Sequence, residues 1–141
     1  MNISLVPSEH ITDVWSQVRG YLEDAVATSN GRWTTEHLCF ALASGRSQLW
    51  IAFDDQQEII GTLTTEVTSY PARRVLSMHF LGGRDFDLWY GELLQQISRF
   101  AKDAGCDGLE GVARFGFWKF LKEDGFEKTS AFYEKGIKNE P

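Results

Sequence analysis

An α/β fold of the α+β kind is predicted, formed as one domain over residues 1–141, and three observations predict it. Short apolar or β-branched runs bounded by turn residues alternate with longer segments whose apolar residues recur every three or four positions. Three of the strand-like runs, 49–53, 59–67 and 74–81, follow one another through short polar breaks, as in an antiparallel meander. The 141 residues are 43% hydrophobic and 13% aromatic, enough for a sizeable core and contrary to disorder.

Residues 3–6 read as a short first strand. Pro7 ends it, and Ser8 can cap a helix. Ile11, Val14, Trp15, Val18, Leu22 and Val26 then form one apolar helical face, stopped at Asn30-Gly31. Thr34 or Thr35 opens a second helix, with Leu38, Ala41 and Leu42 inward and an end at Gly45. LWIAF (49–53) is a fully apolar strand, DDQQ (54–57) a polar turn, and IIGTLTTEV (59–67) a β-branched partner. Tyr70-Pro71 breaks that strand, and RVLSMHFL (74–81) is the next. After Gly82-Gly83, Trp89, Leu93, Ile97, Phe100, Ala101 and Ala104 mark an amphipathic helix over 87–104, ended by Gly105. GLEGVA (108–113) reads as a short strand, FWKFLKEDGF (117–126) as a short helix and KTSAFYEKGI (128–137) as a last strand. The order is β, α, α, β, β, β, α, β, α, β. Burial is expected for Trp15, Leu22, Trp50, Phe53, Leu63, Leu76, Phe80, Leu93 and Ile97.

That order, with LWIAFDDQQEIIGTLTTEV as a central hairpin, RVLSMHFLGG before a glycine turn, FLKEDGF as a short helix ending in Gly-Phe and YEKGI as a closing strand, resembles the GNAT superfamily of acyl-CoA-dependent N-acetyltransferases. More narrowly, TEVTSYPARRVL, FLGG and AGCDGLEGVARFGF resemble segments of short GNAT-like proteins encoded by bacteriophages. The resemblance covers nearly the whole chain. It implies a central mixed sheet with helices on both faces, acetyl-CoA as cofactor and an amine as acceptor.

In the superfamily the cofactor's pyrophosphate sits on the turn after the fourth strand, against the positive end of the following helix. Here that place is held by Leu81, Gly82, Gly83 and Arg84, but the glycine spacing differs from the family's pattern. Asp87, or failing that Asp85, is expected to cap the helix through its side chain and to compete with the phosphates, so that acetyl-CoA binds weakly. Arg114, after the fifth strand, either meets an anionic ligand or pairs with Glu110 or Asp107.

Transfer to an amine needs a base for the amine and a proton for the departing thiolate. Glu66 is one candidate base; the alternative is a cross-strand ion pair with Arg73 or Arg74. His79, which alternates with Val75, Ser77 and Leu81, is the other; the alternative is a core or edge histidine. Glu110 is a third choice. The tyrosine that the family often uses as acid aligns with Leu121, which leaves Tyr133 on the last strand, if it turns toward the cleft.

No His-Glu-x-x-His or Cys-x-x-Cys occurs and His10, His37 and His79 are scattered, so no metal is expected. The net charge of -6 and the lack of any basic cluster longer than Arg73-Arg74 argue against nucleic acid. No apolar run reaches the roughly 20 residues that span a bilayer, and MNISLVPSEH does not read as a signal peptide. Cys39 and Cys106 form no disulfide framework and read as small core residues in a reducing cytoplasm. Two functional classes remain. One is an acetyltransferase for a small-molecule or protein amine. The other is a non-catalytic module on a phage or host protein, in the host cytoplasm or a virion, using aromatics such as those of WSQVRGYL and GRDFDLWY.

Overall fold

The computed structural model describes residues 2–112 and 118–137. Among the described residues five strands form one sheet: β1 (Asn2–Val6), β2 (Ser47–Phe53), β3 (Ile59–Tyr70), β4 (Arg73–Gly83) and β5 (Gly108–Gly111), side by side in that order. The first four pair antiparallel, and β5 pairs parallel to β4. A parallel neighbour needs a crossover. Helix α3 (Phe86–Asp103) supplies it.

Alternation along the strands feeds two cores. Trp50, Leu63 and Leu76 face α3, where Trp89, Leu93 and Ile97 meet them. Leu49, Ile51 and Phe80 face α1 (Ile11–Ala27) and α2 (Thr35–Ala43), which bring Val18, Leu22, Leu38 and Leu42. The sheet is therefore mixed, with helices on both faces. Seven of the nine expected core residues are buried; Trp15 and Phe53 are half-buried and pack on the α1–α2 side. Cys39 and Cys106 are free and half-buried, one against each core.

Several ends differ from expectation. Ser8 caps nothing; it opens a 3-10 turn, Ser8–His10, that leads into α1. Thr34 is the cap of α2, its hydroxyl accepting from the His37 N–H at 3.1 Å. Strand β3 runs on to Tyr70. The helix after β5 is one turn, α4 (Trp118–Leu121), continued as a 3-10 turn, Lys122–Asp124.

The last strand expected at 128–137 is not formed. The segment is irregular, with Phe132, Tyr133 and Ile137 at 72%, 89% and 92% exposure. Polar contacts draw it toward the α1–α2 loop instead. Glu134 accepts from Asn30 Nδ2 at 2.9 Å and pairs with Arg32 at 3.4 Å. The Arg32 guanidinium lies 4.9 Å from the centre of the Phe132 ring.

One irregularity in β4 positions the site. Thr65 faces Met78 while Thr64 faces Phe80, so His79 is an extra residue with no partner on β3, a β-bulge. The bulge switches faces: Leu76 and Met78 belong with the α3 core, Phe80 with the α1–α2 core and Leu81 with the α3 core again.

Candidate active site

Strand β5 pairs with β4 only from Val75↔Gly108 to Met78↔Gly111, whereas β4 continues to Gly83. The two strands part at the bulge. A cleft of about 110 Å³ opens there, lined by Met78, His79 and Leu81 of β4, Gly111 at the end of β5, Tyr90 of α3 and Leu121 of α4, among others. Its walls are mostly apolar. Two buried side-chain polar atoms among the described residues have no hydrogen-bond partner, His79 Nδ1 and the Tyr90 hydroxyl, and both residues line this cleft. Buried polar groups are normally satisfied, so two orphans in one cleft call for an explanation.

His79 is half-buried, its ring 5.8 Å from those of Trp33 and Phe80. Burial holds its pKa below the ordinary 6.5; nearby Glu66 and Glu110 pull upward, and Arg46 pushes down. The imidazole is thus neutral at pH 7 and able to take a proton.

Beside it runs a polar row one residue wide across four strands, Ser47↔Glu66↔Ser77↔Glu110 in register. Glu66, its side chain 16% exposed, accepts from Arg46 Nε at 3.1 Å and Ser47 Oγ at 3.0 Å. The ion pair expected with Arg73 or Arg74 is replaced by one to Arg46, because Ser47 and not the β3–β4 turn lies opposite Glu66. Glu110 accepts from the Ser77 and Tyr70 hydroxyls, each at 2.9 Å. That bond is the main reason the Tyr70 pKa is raised. The fold thus brings Glu66, His79 and Glu110 together, from three different strands.

The glycine turn is built for another purpose. Gly82 and Gly83 are still in β4, opposite Thr62 and Gly61. A Cβ on Gly82 would lie 2.0 Å from the Tyr21 carbonyl oxygen of α1. One on Gly83, at φ +135, would lie 2.4 Å from Gly61 Cα. The glycines admit protein backbone. Arg84 pairs weakly with Glu58 at 3.8 Å and Asp85 at 3.7 Å. The expectation of a carboxylate cap fails. Helix α3 begins at Phe86; Asp85 is its N-cap residue but makes no side-chain cap bond, and Asp87 lies inside the first turn. A bonding N-cap residue is extended. Asp85 is left-handed instead, at φ 55 and ψ 40, with its carboxylate toward Arg84. A second hollow, of about 240 Å³, lies beside this turn, lined by Gly20, Tyr21, Gly82 and Gly83 among others.

Of the remaining expected residues, Leu81 lines the cleft, and so does Leu121, the residue that the resemblance aligns with the superfamily's acid. Tyr133 lies in the exposed tail and is not among the cleft's lining residues, so the stand-in acid is not brought to the site. Arg114 lies outside the described residues. Tyr90 also lines the cleft, and the sequence reading misses it. A signal for it exists: Phe86, Tyr90, Leu93 and Ile97 share one helical stripe, and Tyr90 puts a hydroxyl on it. Burial and then nearby Asp124 raise its pKa, although Asp124 does not reach hydrogen-bonding geometry. Among the described residues there is no cluster of metal-ligating side chains and no helix long and apolar enough to cross a membrane.

No protein-family model matches the chain, and no curated protein sequence does. Solved structures do. A protein described as a probable acetyltransferase superposes with a TM-score of 0.73 at 16% identity, covering 99% of this chain and 100% of that one. One described as a predicted acetyltransferase with acetyl-CoA, from Clostridium acetobutylicum, gives 0.68 at 18% identity, covering 96% and 95%. An aminoglycoside 6'-N-acetyltransferase from Acinetobacter baumannii gives 0.66 at 15% identity, covering 97% and 99%. At these identities the likeness establishes the fold, which is that of the GNAT acetyltransferases.

Proposed function

We propose that this chain is an acyl-CoA-dependent N-acetyltransferase acting on a small-molecule or protein amine. The observation that carries the reading is the apolar cleft at the β4 bulge with its two orphaned polar atoms. A pantetheine arm is narrow, largely apolar and punctuated by acceptors, so the cleft fits it. The turn fits the phosphates less well, since Gly82 and Gly83 are occupied by α1 and β3 and since Asp85 and Asp87 put negative charge nearby. Neither carboxylate caps the helix, however, so its first N–H groups remain open to phosphate as far as side-chain caps are concerned. Leu81, Gly82, Gly83 and Arg84 form the cofactor edge, and Arg114 is kept as a candidate for it.

Acetyl-CoA, when bound, supplies the activated acyl group. The chain's own part is to position an amine and to move one proton. Glu66 and Glu110, partly offset by Arg46, give the entry beside His79 a negative potential that attracts a cationic amine, which releases one proton to solvent before it attacks as the neutral amine. His79 takes the second proton, the one the nitrogen gives up as it becomes an amide. With Leu121 at the acid's position and Tyr133 elsewhere, His79 is also the group that returns a proton to the departing sulfur. The direction is favourable. An imidazolium whose pKa lies below 6.5 is a stronger acid than a thiol at about 8.5.

The test is thermal unfolding with about 1 mM acetyl-CoA, followed by thiol release with small primary amines and lysine peptides. A ligand at ten times its dissociation constant adds about 1.4 kcal/mol, several degrees for a domain of this size. A clear shift with thiol release is expected. No shift and no release with any amine would sink the reading. It would favour instead a phage or host docking module, to which the exposed Phe132, Tyr133 and Ile137 lend support.

A further inference from the structure

We infer that the Tyr90 hydroxyl is a hydrogen-bond donor to the acyl-pantetheine arm, reaching the cleft from α3. This rests on reading the cleft as the acyl-CoA site.

Folding asks position 90 for a ring and nothing more. Tyr90 lies on the buried stripe of α3, packed against Phe86 at 5.0 Å and Phe120 at 5.6 Å between ring centres. A phenylalanine would make the same ring contacts without burying a hydroxyl. The hydroxyl instead is buried without a hydrogen bond of ordinary geometry, on a residue that lines the apolar cleft and near the Asp124 carboxylate, and an unmet buried polar group weakens a fold. Packing therefore explains the ring, and it leaves the oxygen near the Asp124 carboxylate but without a formed hydrogen bond.

A ligand in the cleft explains it, and the chemistry narrows the role. Burial and Asp124 together raise the pKa, so the group stays a neutral phenol at every physiological pH. Proton transfer from such a phenol to a thiolate would run uphill, since even an ordinary tyrosine, at about 10, is a weaker acid than a thiol at about 8.5. Tyr90 is thus a donor that keeps its proton and binds an acceptor oxygen. It is a binding residue and leaves proton movement to His79. An acyl-CoA arm carries acceptors of two kinds, the thioester carbonyl and the amide carbonyls.

The experiment is titration calorimetry of the full chain and of Tyr90→Phe with acetyl-CoA and with CoA, beside thermal unfolding without ligand. Tyr90→Phe should fold as well as the parent or better, since it loses an unsatisfied hydroxyl. It should bind acetyl-CoA about tenfold more weakly. Loss confined to acetyl-CoA puts the donor at the thioester carbonyl; equal loss for CoA puts it at an amide. Equal affinity of the two proteins for both ligands would overturn the role of Tyr90 and leave the acyl-CoA reading intact. So would a variant that loses stability yet keeps its affinity. Absence of binding by the unaltered chain would overturn both.

Discussion

The glycine turn and the cleft lie on the same strand, a few residues apart, and they differ in what their unusual residues answer to. At the turn, Gly82 and Gly83 look like a phosphate cradle in sequence, yet the atoms nearest to them are protein backbone. At the cleft, His79 and Tyr90 look like ordinary core residues, yet each leaves a polar atom that the protein does not use. A glycine motif shows that something comes close without saying what. An orphaned donor or acceptor is a stronger pointer to a ligand, because folding alone gives no reason for it.

This contrast can be broken most severely at Gly82. With a Cβ 2.0 Å from the Tyr21 carbonyl, Gly82→Ala should cost at least about 3 kcal/mol or abolish folding, as read from urea midpoints. A phosphate cradle would respond differently: stability would survive and only cofactor affinity would fall. At the cleft the order reverses. His79→Gln should leave the fold intact and lower kcat/KM about a hundredfold or more, if His79 moves the proton.

Acid sharpens the same comparison. The folded His79 pKa lies below 6.5, so the unfolded chain binds more protons as pH falls past that value. Stability should therefore decline below about pH 6.5, and His79→Gln should remove part of the decline. The acid limb of kcat/KM should also lie below pH 6.5. A limb above neutrality would remove His79 as base.

Charge at the turn should matter less. Asp85 and Asp87 are exposed and make no side-chain cap, so Asp85→Asn with Asp87→Ser should tighten acetyl-CoA only about three- to tenfold, most clearly at low salt. Arg84→Ala should weaken it by a similar or smaller factor. The smallest effect belongs to a glycine that nothing approaches. Gly91 is an exposed helical residue, and a Cβ added there would have open space around it to 4 Å, so Gly91→Ala should stabilise by about 0.5–1 kcal/mol.

Much of the fold is legible because periodicity and punctuation agree. The 49–67 hairpin, the two long helices and the glycine end of α3 follow from the positions of Leu49, Leu63, Leu93 and Gly105, whereas α1 stops at Ala27, short of the expected Asn30-Gly31. Glu66, His79 and Glu110 are legible as residue types, though not as neighbours. Their meeting depends on the register of three strands, which a one-dimensional reading leaves open. The bulge is hidden. Strict alternation puts His79 and Leu81 on one face, whereas the extra residue sends Leu81 to the α3 core. Tyr90 is masked by its own stripe, where an aromatic ring reads as packing. The last strand is misread because 128–137 has the right composition for one. Its partner contacts, through Arg32 and Glu134, are polar and more than a hundred residues apart in the chain.

The bulge also separates inheritance of the fold from inheritance of the site. His79 is the residue by which β4 exceeds its partner. Loss of its codon would set Phe80 in the vacated place and Leu81 after it, each still on the core it occupies now. A single three-base deletion would thus leave both hydrophobic patterns in phase while erasing the proposed proton carrier. In a lineage of such genes, scaffold and enzyme would stand one short deletion apart, and the length of this strand would tell them apart.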